Sequence, residues 1–263
     1  MRIVPAKNGW LWFVSGFALF RKSPPMWLFL VFTYWIGVAL LGQIRYLGPA
    51  ASTVLLPVFS VSFMFMCAVL DRGGLLKPAL LLAGFRSRAA TLIVLGVLYL
   101  LSIALVLGIA SLVDAGALLQ WVLSGQEPSI EALRDGSVSS AMLVASLAAT
   151  PVLMAFWFAP VLAAWNPIGA GQSLFYSFFA VGRNWRAFFV YGAVLAGAGV
   201  FFLMVVTAVA ILAGGQAEPL RFLALILTLL TLPTLFASFY ASYRDIFPEN
   251  AVPSEPPPAP ERP

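Results

Sequence analysis

Polar and apolar positions fall along this chain in long blocks rather than in single-residue alternation. Six stretches free of Asp, Glu, Lys and Arg reach the length of a bilayer span or come within a residue of it: Met26–Ile44, Tyr46–Leu70, Ala89–Val113, Ser137–Trp165, Ala187–Ala217 and Phe222–Tyr243. A hydrocarbon core takes about 20 apolar residues of helix. Transmembrane strands would instead show alternating segments of about ten residues, and none is present. The blocks predict an all-α, polytopic membrane protein with six transmembrane helices.

Shorter segments ending in basic residues precede the first, third and fifth spans. They are Trp10–Phe20 before Arg21 and Lys22, Gly74–Arg88 with Arg86 and Arg88 at its end, and Ala170–Val181 before Arg183, Asn184 and Arg186. In the second, Leu76, Ala79, Leu80 and Ala83 recur at helical spacing. In the third, Leu174, Phe175, Phe178 and Phe179 stand opposite Ser173, Ser177 and Ala180. Helices of this kind lie in the headgroup plane with the apolar face down. The first is apolar nearly all round and is expected to lean on the bundle. The layout predicts one membrane domain over residues 1–247, built from three repeats of an interfacial helix and a transmembrane hairpin at about 8–70, 71–165 and 166–247.

Within that frame particular residues take expected roles. Pro57, Pro151, Pro160 and Pro233 fall in the even spans, which should be kinked and packed inward so that neighbours satisfy the freed carbonyls. Asp71 and Asn166 stand where they would cap the amphipathic helix that follows. Gly192, Ala193, Ala196, Gly197, Ala198 and Gly199 give the fifth span a small-residue flank suited to close helix contact. Most tryptophans lie near span ends, as in an aromatic belt; Trp35 and Trp157 fall deeper and are expected in the core. The segment Asp114–Gly136 should hold a short helix at Ser129–Asp135 and an acidic surface. Residues 248–263 are proline-rich and too poor in apolar side chains to fold, so they read as a solvated tail.

Charge sets the orientation. The chain carries +5 net charge with 10% charged residues, far below the roughly 25% of soluble domains. With the chain starting in the cytoplasm, every one of the fifteen basic residues except Arg45, Arg134 and Arg221 lies inside, while the ten acidic residues divide evenly. That asymmetry is the positive-inside pattern. It predicts cytoplasmic termini and argues against nucleic acid as the reason for the basic balance.

Catalytic chemistry is sparse. The sequence has no histidine and one cysteine, Cys67, which reads as a small core residue. No span carries an ionisable group at mid-depth, where ion-coupled transporters place theirs. No phosphate loop, nucleophile elbow or metal spacing occurs, and no cofactor or metal is expected. The one constellation left is a cytoplasmic collar of Arg21, Lys22, Arg72, Lys77, Arg86, Arg88, Arg183, Asn184, Arg186 and Arg244, placed to meet lipid headgroups or a protein partner.

Met1-Arg2-Ile3-Val4-Pro5-Ala6 followed by Gly9-Trp10, then Gly16-Phe17 with Leu19-Phe20-Arg21, and the closing Tyr243-Arg244-Asp245-Ile246-Phe247 form a distinctive set. On these residues the chain resembles a family of uncharacterised proteobacterial multi-spanning inner-membrane proteins. The resemblance implies a bacterial inner membrane and carries over no activity and no functional residue. Three readings of function follow. The first is a non-enzymatic scaffold, assembly or envelope-homeostasis factor contacting anionic membrane lipids or a membrane-protein partner. The second is a transporter of a lipid or small amphiphile. The third is a lipid-modifying enzyme, for which Asp71 and Asp245 are the only cytoplasmic carboxylates to test.

Overall fold

The computed structural model describes residues 1–45, 47–125, 127–212 and 217–248. The expected tail beyond Pro248 and the turn at 213–216 lie outside the described residues. Helices α1 (Asn8–Phe20), α2 (Pro24–Gly42) and α3 (Leu47–Asp71) lead into a 3-10 segment, Pro78–Arg86. There follow α4 (Ala89–Asp114), α5 (Ala117–Ser124), α6 (Ile130–Arg134), α7 (Ser137–Phe156), α8 (Ala159–Trp165), α9 (Ala170–Arg183), α10 (Trp185–Leu212) and α11 (Ala217–Ile246). No strand occurs among the described residues. Six helices are long and apolar enough to cross a membrane: α2, α3, α4, α7 with α8, α10 and α11. Both α5 and the tight start of α6 fall in the segment between the third and fourth spans, where only one short helix was expected.

Local chemistry explains where the elements begin and break. Pro24 opens α2, where its missing N–H has no intrahelical partner to lose. The second interfacial segment is not the α-helix expected over Gly74–Arg88. Residues 74–77 are outside regular structure and the rest is 3-10. The reason is crowding: Gly84 lies so close to α3 that a Cβ there would sit 1.9 Å from the Val58 carbonyl oxygen, and the Ser62 hydroxyl accepts the Gly84 N–H at 2.9 Å. Of the four prolines expected to kink helices, Pro160 alone interrupts one. Its ring occupies the space of the carbonyl four residues back, and α7 ends at that residue, Phe156. Ser177 from α9 repairs the gap, accepting the Phe158 N–H and donating to the Met154 carbonyl, both at 2.8 Å. Pro57, Pro151 and Pro233 lie inside unbroken helices.

Each short segment rests on an even span. The 3-10 segment packs on α3, α9 packs on α7 and α8, and α1 packs on α11. The contacts thus run in a closed cycle, with the first segment on the last span. Gly16 makes the α1 contact, its Cα set against the backbone of Thr234 and Ser238. The lean of α1 on the bundle is therefore as expected. In α9, Ser173, Ser177 and Ala180 are buried while Phe175 and Phe179 are exposed. That is the arrangement of a helix whose aromatic side meets lipid.

Burial is uneven. Over an apolar 18-residue stretch of each, the second span is 61% buried and the sixth 33%, but the fourth only 11% and the fifth not at all. Inward packing therefore holds for α3 and α11 and fails for α7, whose continuation α8 alone is enclosed. Among the described residues the glycines of the α10 flank meet no other helix: Gly192, Gly197 and Gly199 have nothing within 4 Å of a Cβ position. Helix α10 reaches the bundle from its first part, through Ala187, Phe188, Tyr191 and Leu195, and beyond Leu195 its described side chains are half-buried or exposed. Trp35 and Trp157, expected in the core, are half-buried. The enclosed indoles are Trp12 and Trp27, at 2% and 0% exposure.

Candidate functional site

The two ends of the described chain meet on the basic face. The Arg2 N–H donates to the Ile246 carbonyl at 2.7 Å, and the Arg2 guanidinium pairs with Asp245. Asp245 also accepts from Asn8 Nδ2 at 2.6 Å and Trp12 Nε1 at 2.9 Å. Beside it, Asn184 holds the same N-terminal strap. Its Oδ1 accepts the Val4 N–H at 2.8 Å, and its Nδ2 donates to the carbonyls of Arg2 and Ala180. Asn184 is 2% exposed, so it cannot contact a headgroup as the collar reading had it. A buried amide is held to such a position because each polar atom left unpaired would carry a desolvation penalty.

A second carboxylate is equally occupied. Asp71 pairs with Arg244 and accepts from the Tyr240 hydroxyl at 3.2 Å. It ties the end of α3 to α11 and does not cap the following segment, whose first flanking residue is Lys77 with no side-chain cap. Asn166 likewise closes the helix before it: its Nδ2 donates back to the Leu162 carbonyl at 3.1 Å, while α9 starts from Gly169. Asn166 thus supplies a donor at a helix carboxyl end, where donors and cations are wanted.

Several expected collar cations serve that purpose. Lys22 Nζ donates to the Leu70 carbonyl at 2.9 Å, at the end of α3. Arg88 Nη1 reaches the carbonyls of Ala163, Asn166 and Ile168 at 3.0, 2.7 and 2.7 Å, closing α8. Arg72 is also engaged. The cations that remain are of two kinds. Arg21 and Arg186 lie over the exposed rings of Phe17 and Trp185, 5.9 and 5.5 Å from the centroids. Lys7, Lys77 and Arg183 are exposed and Arg86 half-buried, and none has a hydrogen-bond or ion-pair partner among the described residues.

The acidic surface expected on the opposite face is partly used up in turns. Asp114 is 7% exposed and accepts the N–H groups of Gly116 and Leu118, starting α5. Asp135 accepts the Ser137 N–H at 2.8 Å, which holds its carboxyl below the usual carboxylate range. The Asp-x-Gly spacing at Asp114 was a turn signal in the sequence.

Between the spans lies a cavity of about 330 Å³. Pro57, Trp157, Pro160, Tyr191, Phe236 and Phe239 are among its walls, which come from α3, α4, α7, α8, α10 and α11. Among the described residues no group of three His, Cys, Asp or Glu side chains could hold a metal. Cys67 is buried, with its Sγ 3.9 Å from the Phe236 carbonyl oxygen.

Six apolar helices with these occupied charges at one end define an integral, multi-pass membrane protein. The chain is 34% identical over 252 residues to a probable inner membrane protein of Burkholderia thailandensis, covering 93% of this chain and 92% of the relative. It belongs to the same family of inner-membrane proteins. No family model matches it. No solved structure matches it either.

Proposed function

We propose that this is a non-enzymatic inner-membrane factor whose basic face is cytoplasmic and holds anionic lipid headgroups. The observation that carries the reading is the division among its cations. Lys22, Arg88 and Arg244 are consumed by helix ends and a carboxylate, whereas Lys7, Lys77 and Arg183 stand exposed without a protein partner among the described residues. Cations at headgroup level beside an anionic leaflet gain about 1 kcal/mol each. Arg21 over Phe17 and Arg186 over Trp185 add interfacial anchors. Asp71 and Asp245, the carboxylates an enzyme would need, each already accept from two or more donors, which favours a binding role over catalysis.

The test is native mass spectrometry of the protein extracted with its lipids, wild type beside a Lys7→Gln, Lys77→Gln, Arg183→Gln variant. The reading expects phosphatidylglycerol and cardiolipin retained by wild type and lost from the variant. Equal retention of anionic and zwitterionic lipid by both proteins would overturn it.

A further inference from the structure

The first five residues sit against the bundle as a bound peptide would. Residues 1–5 carry no regular structure, yet their side chains alternate as those of an extended strand do. Arg2 pairs with Asp245 and Val4 is 6% exposed, whereas Met1, Ile3 and Pro5 face outward. Along one edge of the strap the backbone is read group by group. The Arg2 N–H donates to the Ile246 carbonyl at 2.7 Å, the Val4 N–H donates to Asn184 Oδ1 at 2.8 Å, and the Arg2 carbonyl accepts from Asn184 Nδ2 at 3.1 Å. In a sheet a neighbouring strand pairs with such groups. Here a buried amide side chain and a helix-end carbonyl take its place. The receiving groups are held by contacts that do not involve the strap. Asn184, 2% exposed, also donates to the Ala180 carbonyl at 2.9 Å, and Asp245 also accepts from Asn8 and Trp12. The strap itself is lightly retained, since Val4 is its one buried residue. Segments with few buried apolar contacts open before the fold as a whole does.

We infer that the groove between Asn184, Asp245 and Ile246 is a peptide-binding site, closed in this structure by the chain's own residues 1–5, and that it receives an extended segment of a partner protein with a basic residue two positions before a small aliphatic one. The inference goes beyond the headgroup reading and does not depend on it. The mode is strand addition, in which backbone hydrogen bonds give the grip and alternate side chains give the choice. Asp245 selects the cation. The Val4 position selects an aliphatic side chain, because a polar one buried there would lose its hydration without a partner. A tethered segment competes at an effective concentration in the millimolar range, so the groove stays shut until a segment of higher affinity displaces the strap. A second copy of this chain is not that partner. Four residues lead from Val4 to Asn8, whose side chain is itself on Asp245. They span at most about 14 Å, too short to cross to another molecule while α1 stays packed.

The probe is a synthetic peptide of residues 1–6, Met1-Arg2-Ile3-Val4-Pro5-Ala6, with a diazirine analogue of leucine at the valine position. It is added at millimolar concentration to the full-length protein in nanodiscs of zwitterionic lipid, and crosslinks are mapped by mass spectrometry. The site predicts crosslinks on residues 180–188 and 240–247. The Val4→Asp protein, whose own strap no longer seats, should crosslink about tenfold more than wild type. A peptide with glutamine in place of the arginine should crosslink about tenfold less. Hydrogen exchange on the unaltered protein gives a reading that needs no variant. The amides of residues 2–4 should exchange at least tenfold faster than those of residues 237–246, and faster still when the unlabelled peptide is added and displaces the strap. No crosslinking to either protein, crosslinking indifferent to the arginine, or strap exchange unmoved by the peptide overturns the site.

Discussion

The two ends of this helical bundle are built by different rules. At the basic end, glycine and serine bring backbones into contact, and three polar side chains are tied across elements: Asp245 to Arg2, Asn8 and Trp12, Asp71 to Arg244 and Tyr240, Asn184 to the N-terminal strap. The fully enclosed side chains gather there, from Trp27 and Leu30 at the start of α2 to Tyr243 and Ile246 at the end of α11. At the opposite end, enclosure shrinks to the small cluster of Ala110, Leu118 and Ala141. The far half of α10 presents Phe201, Leu203, Met204 and Leu212 outward. Lipid is as apolar as leucine, so no hydrophobic drive pulls such helices together; packing and hydrogen bonds must do it. The bundle is held most tightly where those contacts gather, and the outer part of α10, without them, faces outward.

That contrast can be broken most decisively at glycine. Gly84→Val forces a Cβ against the Val58 carbonyl. It should cost about 3 kcal/mol, the upper range for overpacking, seen as a lowered thermal transition in detergent. Gly197→Val, at a position with nothing within 4 Å, should leave the transition where it is. Equal effects at the two sites would refute the division.

The polar ties should rank next. Asp245→Asn leaves Arg2, Asn8 and Trp12 competing for a neutral acceptor, and should cost about 2 kcal/mol, as for hydrogen bonds to a charged group. Limited proteolysis would then show the strap of residues 1–5 released from α11. The smallest effect belongs to the other end. Asp135 is wholly exposed, with a carboxyl pKa lowered by the Ser137 N–H. A lowered folded-state pKa gives a contribution present above the ordinary carboxylate pKa and lost as pH falls through the folded value. Removing it by Asp135→Asn should change the transition imperceptibly at neutral pH.

The spans were legible in the sequence because uninterrupted apolar length is a strong signal. Ser137–Trp165 was bounded as observed, and Tyr46–Leu70 differs by one residue at each end from α3 at Leu47–Asp71. The two faces of α9 were equally plain, since helical spacing separates its serines from its phenylalanines. What was not legible was pairing. Nothing local announces that Arg2 meets Asp245 across the length of the chain, or that Asn184 will spend its amide on residues 2 and 4. The same residues that make the ends of the sequence distinctive, Met1-Arg2-Ile3-Val4 and Tyr243-Arg244-Asp245, turn out to be joined to one another. The collar was over-read for a related reason. Basic residues near span ends look alike in sequence whether they reach lipid or, like Lys22 and Arg88, fold back onto a helix carboxyl end. The small flank of α10 misled in the other direction, because Gly and Ala permit close contact without naming a partner.

All of this supposes that the strapped, basic end is the cytoplasmic one. Impermeant thiol labelling tests it directly, with single cysteines at Lys77→Cys on the basic face and Leu133→Cys on the other, the native Cys67 being buried. The account predicts Leu133→Cys modified in intact spheroplasts and Lys77→Cys only in inverted vesicles. Modification of both from the same side, or the reverse assignment, would contradict it.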